Sequence, residues 1–311
     1  MAVNRSNERG GGPMRRDPLQ VIGRTVADQA SPHYRFERFV VADDDGGGRY
    51  RVNLAIPAPP PPAAGFPAFW MLDGNAALQA FDEQLLAGLA RGTPQVLVFV
   101  GHDNPLRIDA AARMRDYTPL PARFEEDGGA TRGGGADAFM DVIAHRIRPE
   151  LARRVPLDPW RQALWGHSLG GLFALHALYR GDAGFRTFAA ASPSLWWAGG
   201  ALLGAPERAF VERAGERRAR VLLMLGEGER HPDFSGRDMD DPAVVAHLRR
   251  VAAVPADALE QLAGRLRQVP GLDVGYREFA GLGHGPMLRA SLLHALHAVA
   301  GIADRSGEVP P

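Results

Sequence analysis

Three features of the 311-residue sequence predict an α/β architecture: a mostly parallel central sheet, antiparallel strands at its N-terminal edge, and helices on both faces. First, short apolar runs alternate with longer helix-type stretches through most of the chain, the pattern of strands that cross over to parallel neighbours. Second, two alternating, β-rich runs at 34–42 and 50–56 flank a Gly/Asp-rich connection at 43–48, which predicts an opening hairpin. Third, Gly166-His167-Ser168-Leu169-Gly170 lies between an apolar run, 163–165, and an Ala/Leu-rich run, 171–179. A serine therefore sits on a sharp strand-to-helix turn, a nucleophile elbow.

The elements follow in order. Residues 57–62 are a proline-rich, extended loop. Residues 68–72 form a strand that stops at Asp73-Gly74-Asn75, and 76–90 has helical spacing with Leu78, Phe81, Leu85 and Leu89 apolar. The apolar run 95–100 is the next strand, and 101–135 is a long irregular stretch dense in turn residues. Irregular stretches of that length in a compact domain are usually functional or mobile. Residues 136–154 read as a helix leading into the strand before the serine. Strands are expected at 188–191, at 221–225 before Gly226-Glu227-Gly228-Glu229, and at 274–279, with helices at 256–268 and 286–300. One domain is expected over 18–303, between a disordered, Gly/Arg-rich tail at 1–17 and a flexible polar tail at 304–311.

Composition narrows the function. The chain is 45% hydrophobic, enough for a sizeable core, and 36 basic residues balance 36 acidic ones. A net charge of +0 argues against nucleic acid as a partner. With no cysteine, disulfides, thiolate metal sites and a cysteine nucleophile are excluded. The first twenty residues lack the apolar segment of a secretory signal, and no run is long enough for a membrane span, so a cytoplasmic location without a membrane partner is expected. His294 and His297 lie three apart on the last helix, but no other ligand accompanies them, and an amphipathic surface helix explains them. No resident metal or cofactor is expected. Composition does not fix the oligomeric state.

A serine hydroxyl is a weak nucleophile at neutral pH and needs a base held by a third group. His284, in Gly281-Leu282-Gly283-His284-Gly285-Pro286 after the last strand, is the candidate base: small neighbours leave its ring room to reach the elbow. That position also suits open α/β sheets, which place their sites beyond the C-terminal ends of strands. His167 adjoins the serine, but adjacent side chains diverge, which leaves it a packing role. The acid should follow the 221–225 strand, where Glu229 is preferred to Glu227 because it lies further past the strand end. Asp233, Asp238, Asp240 and Asp241 are solvated loop charges on this reading, and a Ser-His pair without an acid stays open. The two oxyanion donors are expected from Leu169, which follows the serine, and from the Asn75 amide after the 68–72 strand.

Five segments, in order, then carry a resemblance: Met71-Leu72-Asp73-Gly74-Asn75-Ala76, Arg113-Met114-Arg115-Asp116-Tyr117-Thr118-Pro119, the elbow, Ser192-Pro193-Ser194-Leu195-Trp196-Trp197, and Gly283-His284-Gly285-Pro286. Together they resemble the putative-esterase family of α/β-hydrolases, and within it the siderophore esterases that open enterobactin- and salmochelin-type trilactones. The resemblance implies the α/β-hydrolase fold, a serine esterase with Ser168 as nucleophile and His284 as base, and Arg113 facing the substrate. It implies a small-molecule siderophore as partner, with iron present only as part of that substrate. A ferric tris-catecholate is anionic and broadly aromatic, which suits arginine and tryptophan. Arg107, Arg113 and Arg115 in the long loop, and Trp196 and Trp197 after the 188–191 strand, are the corresponding candidates. Two other functions remain open at this point: a general carboxylesterase or acyltransferase acting on feruloyl- or acetyl-type esters, and a siderophore-binding protein with a vestigial site.

Overall fold

The computed structural model describes residues 19–43, 46–124, 129–181, 184–213, 218–231 and 237–302. The tails expected at 1–17 and 304–311, and Asp233, lie outside the described residues.

The expected hairpin is β1 (Tyr34–Ala42) paired antiparallel with β2 (Arg49–Pro57), Tyr34 opposite Pro57 and Ala42 opposite Arg49. β3 (Phe66–Met71) is buried along its whole length and leads through α1 (Gly74–Leu78) and α2 (Glu83–Arg91) to the equally buried β4 (Val96–His102). The single helix expected at 76–90 is thus two. The first ends at Leu78, and Asp82 starts the second, its carboxylate accepting from Leu85 N–H at 2.8 Å.

The irregular stretch at 101–135 has structure of its own. Asp109 caps α3 (Ala110–Asp116), and β5 (Pro121–Arg123) pairs with β6 (Thr131–Gly133). The helix expected at 136–154 forms as α4 (Ala136–Val142), a π-helical turn over Ile143–Ile147, and α5 (Arg148–Ala152). β7 (Leu157–His167), α6 (Leu169–Arg180), β8 (Thr187–Ala191), α7 (Ala205–Arg213), β9 (Ala219–Gly226), α8 (Pro242–Ala252), α9 (Ala258–Leu266), β10 (Leu272–Phe279) and α10 (His284–Ala300) complete the order.

The main sheet has eight strands in the order β1-β2-β4-β3-β7-β8-β9-β10. β2 is antiparallel to β4, and every pairing from β4 to β10 is parallel. Side chains alternate across a strand, so consecutive apolar residues feed opposite faces. Trp70, Val98, Leu164 and Leu223 enter one core with Phe173 of α6, while Phe69, Leu97, Trp165 and Leu222 enter the other with Leu292 of α10. Helices on both sides are what make an uninterrupted apolar strand stable here. His294, expected on a surface, is buried against the Phe279 ring.

The joint between β7 and α6 is set by sterics. Ser168 bridges them at φ 62°, ψ −118°, a conformation that costs a non-glycine residue of order 1–3 kcal/mol. A Cβ on Gly166 would lie 2.1 Å from the Gly170 carbonyl oxygen, and one on Gly171 would lie 2.7 Å from the Ala191 carbonyl oxygen. Gly170 itself has room, since a Cβ there would meet Leu72 Cβ at 3.5 Å. The turn therefore needs glycine at 166 and 171, and at 170 it needs only the backbone. Accordingly, Gly166→Ala should cost at least about 2 kcal/mol by overpacking, while Gly170→Ala, in a helix with room for a Cβ, should be neutral or stabilise by up to about 1 kcal/mol. Denaturant midpoints measure both, and equal losses would refute this account of the joint.

Candidate active site

Parallel strands bring the chemistry together because each ends on the same edge of the sheet. Ser168 follows β7, Ser192 and Ser194 follow β8, Glu229 ends a short 3₁₀ turn after β9, and His284 opens α10 after β10. His284 Nδ1 and Glu229 Oε2 are 2.6 Å apart. A carboxylate can only accept, so Nδ1 carries the proton and Nε2 is left as the basic nitrogen. His167, adjacent to the serine, donates from Nε2 to the His284 backbone carbonyl at 3.0 Å, and the two rings lie 4.6 Å apart. The residue next to Ser168 thus steadies the loop that holds His284. Ser168 Oγ hydrogen-bonds Ser194 Oγ at 3.2 Å. Ser168 and His284 line the same cavity without a hydrogen bond between them.

Of the two glutamates after β9, Glu229 is the one that meets His284. Its Oε1 accepts from Ser192 Oγ at 2.6 Å and from Gly226 N–H at 3.0 Å, leaving Oε2 for His284. Burial pushes this carboxyl up. The His284 hydrogen bond and charge, with the Ser192 and Gly226 bonds, outweigh burial and hold it below its ordinary 4.5. Glu229 is therefore ionised across the neutral range. Glu227 instead accepts from Gly281 N–H at 2.8 Å, bracing the loop before His284.

The three arginines expected at the substrate are directed elsewhere. Arg113 clasps both carboxylate oxygens of Asp73, Nε to Oδ1 at 3.0 Å and Nη2 to Oδ2 at 2.8 Å, and Nη2 also donates to the His167 carbonyl at 3.1 Å. Asp73 has a side chain only 4% exposed, and a buried carboxylate requires a partner. Arg113 thereby ties the β3 loop to the backbone just before Ser168 and does not line the cavity. Arg115 donates to both oxygens of Asp116, a buried acid that also bonds His102 and Tyr50. Arg107 Nε donates to Gln79, and its side chain borders a small recess with Asp73 and Asn75. The Asn75 side-chain amide donates to the Asn104 and Leu106 carbonyls, fixing the loop after β4, while its backbone N–H belongs to the first turn of α1. Leu169 is the first residue of α6, so its N–H also lies in a first turn.

The tryptophans divide. Trp197 is 2% exposed, with Nε1 donating to the Leu120 carbonyl, and belongs to the core. Trp196 is half-buried and lines the cavity beside Ser168, edge-on to His247 at 5.0 Å.

That cavity has a volume of about 560 Å³, and α8 with residues 254–259 forms its far wall. Leu248, Val251, Val254 and Leu259 make the wall apolar, and His231, Arg237 and His247 supply its basic groups. The sequence carries a signal for this wall: Asp241 before Pro242 is a helix start, and Val244, Leu248 and Val251 then recur at helical spacing. Asp241 is the cap of α8, accepting from Ala243 N–H at 2.9 Å, and not a free loop charge.

Comparison with known proteins decides the family. Residues 46–272 match the model of the family described as Putative esterase. The chain belongs to this esterase family. The apo-salmochelin esterase of Escherichia coli O6:H1 is 31% identical to it over 287 residues, covering 91% of this chain and 85% of the relative. The ferri-bacillibactin esterase BesA of Bacillus subtilis is 30% identical, over 79% of this chain and 83% of its own. The solved structure of the enterobactin and salmochelin hydrolase IroE superimposes with a TM-score of 0.67 at 30% identity, covering 89% of this esterase and 99% of that chain. The fold is that of the α/β-hydrolases, and the chain is a serine hydrolase of the carboxylic-ester type. Among the described residues, no helix is long and apolar enough to cross a membrane.

Two outcomes follow for this esterase. Arg113→Ala removes one partner of a buried ion pair, so it should cost about 3–5 kcal/mol and depress hydrolysis of neutral and anionic esters alike. Loss confined to anionic esters in steady-state assays would return Arg113 to the substrate. For Glu229 the folded value is depressed, so its stabilisation is present above its ordinary 4.5 and is lost as pH falls through the lowered value. The melting-temperature advantage of wild type over Glu229→Gln should hold at neutral pH and close in acid below 4.5. An advantage that persists in strong acid would contradict the assignment.

Proposed function

We propose that this esterase hydrolyses the ester bonds of a catecholate trilactone siderophore, with Ser168 as nucleophile, His284 as general base and Glu229 as the acid that orients it. The observation carrying the catalytic reading is the 2.6 Å His284–Glu229 bond, at a cavity that Ser168 also lines. The substrate class is supported by the relatives, whose names specify salmochelin, bacillibactin and enterobactin. Support from this chain comes from the cavity wall, where Trp196 offers a ring and His231, Arg237 and His247 offer basic groups to an anionic, aromatic ligand. Iron, where present, enters as part of the substrate.

The reaction has two halves. Ser168 Oγ attacks the ester carbonyl carbon as His284 Nε2 takes the hydroxyl proton, and ionised Glu229 stabilises the imidazolium across Nδ1. The carbonyl π pair moves onto oxygen, where the backbone N–H groups of Leu169 and Asn75 receive it; neither lies far enough into its helix to have an intrahelical acceptor. The oxyanion collapses, the C–O bond to the alcohol breaks, and His284 returns its proton to the leaving oxygen. Water then attacks the acyl-Ser168 by the same steps in reverse, with His284 again the base, releasing the carboxylic acid and free serine.

Ser168→Ala should lower kcat by more than about a thousandfold while leaving the melting temperature nearly unchanged. A fluorophosphonate should label Ser168, located by mass spectrometry of the digest. Turnover of apo and ferric trilactones, a feruloyl ester and p-nitrophenyl acetate should give the highest kcat/KM on a trilactone. A preference for feruloyl or acetyl esters would assign a general carboxylesterase, and binding of trilactone without turnover would assign a carrier.

A further inference from the structure

Ser192 is the cavity's least conventional side chain. It is 3% exposed, directly follows β8, and adopts φ 43°, a left-handed conformation that disfavours any residue with a Cβ. Its backbone N–H donates to the Met224 carbonyl at 2.7 Å, which pins the strained residue to the end of β9. From there its Oγ donates to Glu229 Oε1 at 2.6 Å. Two residues on, Ser194 N–H donates to the Ser168 carbonyl at 3.1 Å, so the same short segment grips the elbow.

We propose that Ser192 is a positioning residue of the esterase, acting on His284 through Glu229. The inference rests on the reading of Ser168, His284 and Glu229 as the working set. A carboxylate side chain can turn about its last torsion and exchange its two oxygens. With Ser192 Oγ and Gly226 N–H both on Oε1, that rotation is blocked and Oε2 stays aimed at His284 Nδ1. The ring is thereby kept in the tautomer whose Nε2 can accept the Ser168 proton. Charge-assisted bonds of this kind are stronger than neutral ones, which suits a group that must not move during turnover. The left-handed backbone is the cost of aiming the hydroxyl inward.

The test uses p-nitrophenyl acetate and four variants: Ser192→Ala, Ser192→Gly, Glu229→Ala and the double variant Ser192→Gly/Glu229→Ala. Glycine accepts φ 43° without strain, so Ser192→Gly deletes the hydroxyl while favouring the native backbone. Both Ser192 variants should lower kcat about tenfold with KM changed less than about twofold. The double variant should be no more than about twofold slower than Glu229→Ala, because a residue acting through Glu229 has nothing left to act on. Wild-type kcat in Ser192→Gly would overturn the proposal, as would losses that multiply in the double variant, or a Glu229→Ala enzyme with full activity. If Ser168→Ala retained turnover, the catalytic reading itself would fall. If Ser168→Ala were dead and Glu229→Ala slow but Ser192→Gly normal, only the role of Ser192 would fall.

Discussion

The close approach of Gly166 to the Gly170 carbonyl is the constraint on which the site depends. It brings β7 and α6 together so tightly that one residue, at φ 62°, must join them. That residue can neither continue the strand nor start the helix in ordinary geometry, so its side chain is delivered to the sheet edge. Everything else is placed relative to it by strand order. β8, β9 and β10 lie successively beside β7, and the segments leaving them bring Ser192 and Ser194, Glu229 and His284 in the same sequence. The strained turn is tolerated because it is pinned from both sides, Ser168 N–H to the Ala191 carbonyl at 2.9 Å and Leu172 N–H to the Ser168 carbonyl at 3.0 Å.

Around this joint, charge is used mainly to hold the protein to itself. Three largely buried acids each gather donors: Asp73 takes Arg113, Asp116 takes Arg115, His102 and Tyr50, and Glu229 takes Ser192, Gly226 and His284. Only the last has a partner, His284, that lines the cavity with Ser168. The other two lock the segments on either side of the β3 and β4 ends, where a long irregular stretch would otherwise be free to drift. Basic groups that meet the cavity come from the opposite wall, at His231, Arg237 and His247.

The fold was readable in the sequence wherever periodicity or sterics dominate. Apolar runs such as 95–100, and the Gly-x-Ser-x-Gly turn, report burial on both faces and a close backbone approach, and those depend on local residues. His284 and Glu229 were readable because both follow predicted strands, and strand ends converge in a parallel sheet. The destination of an arginine was not. Whether a guanidinium meets substrate or an internal acid depends on which carboxylate lies across the fold, and Arg113 meets Asp73 forty residues away, within hydrogen-bond reach. α8 was obscured differently: its polar lead-in, Asp238 to Asp241, resembles a loop, although Asp241-Pro242 marks a helix start.

His284 is the first residue of the last helix, and its partner Glu229 precedes it by 55 positions. In a chain emerging from the ribosome, β7, α6 and the serine are exposed well before β10 and α10 exist. Ser168 is thus made well before His284, and the Glu229–His284 bond can form only once the final strand has added to the sheet edge beside β9. Placing His284 on the closing element makes its bond to Glu229 a late reporter of complete folding.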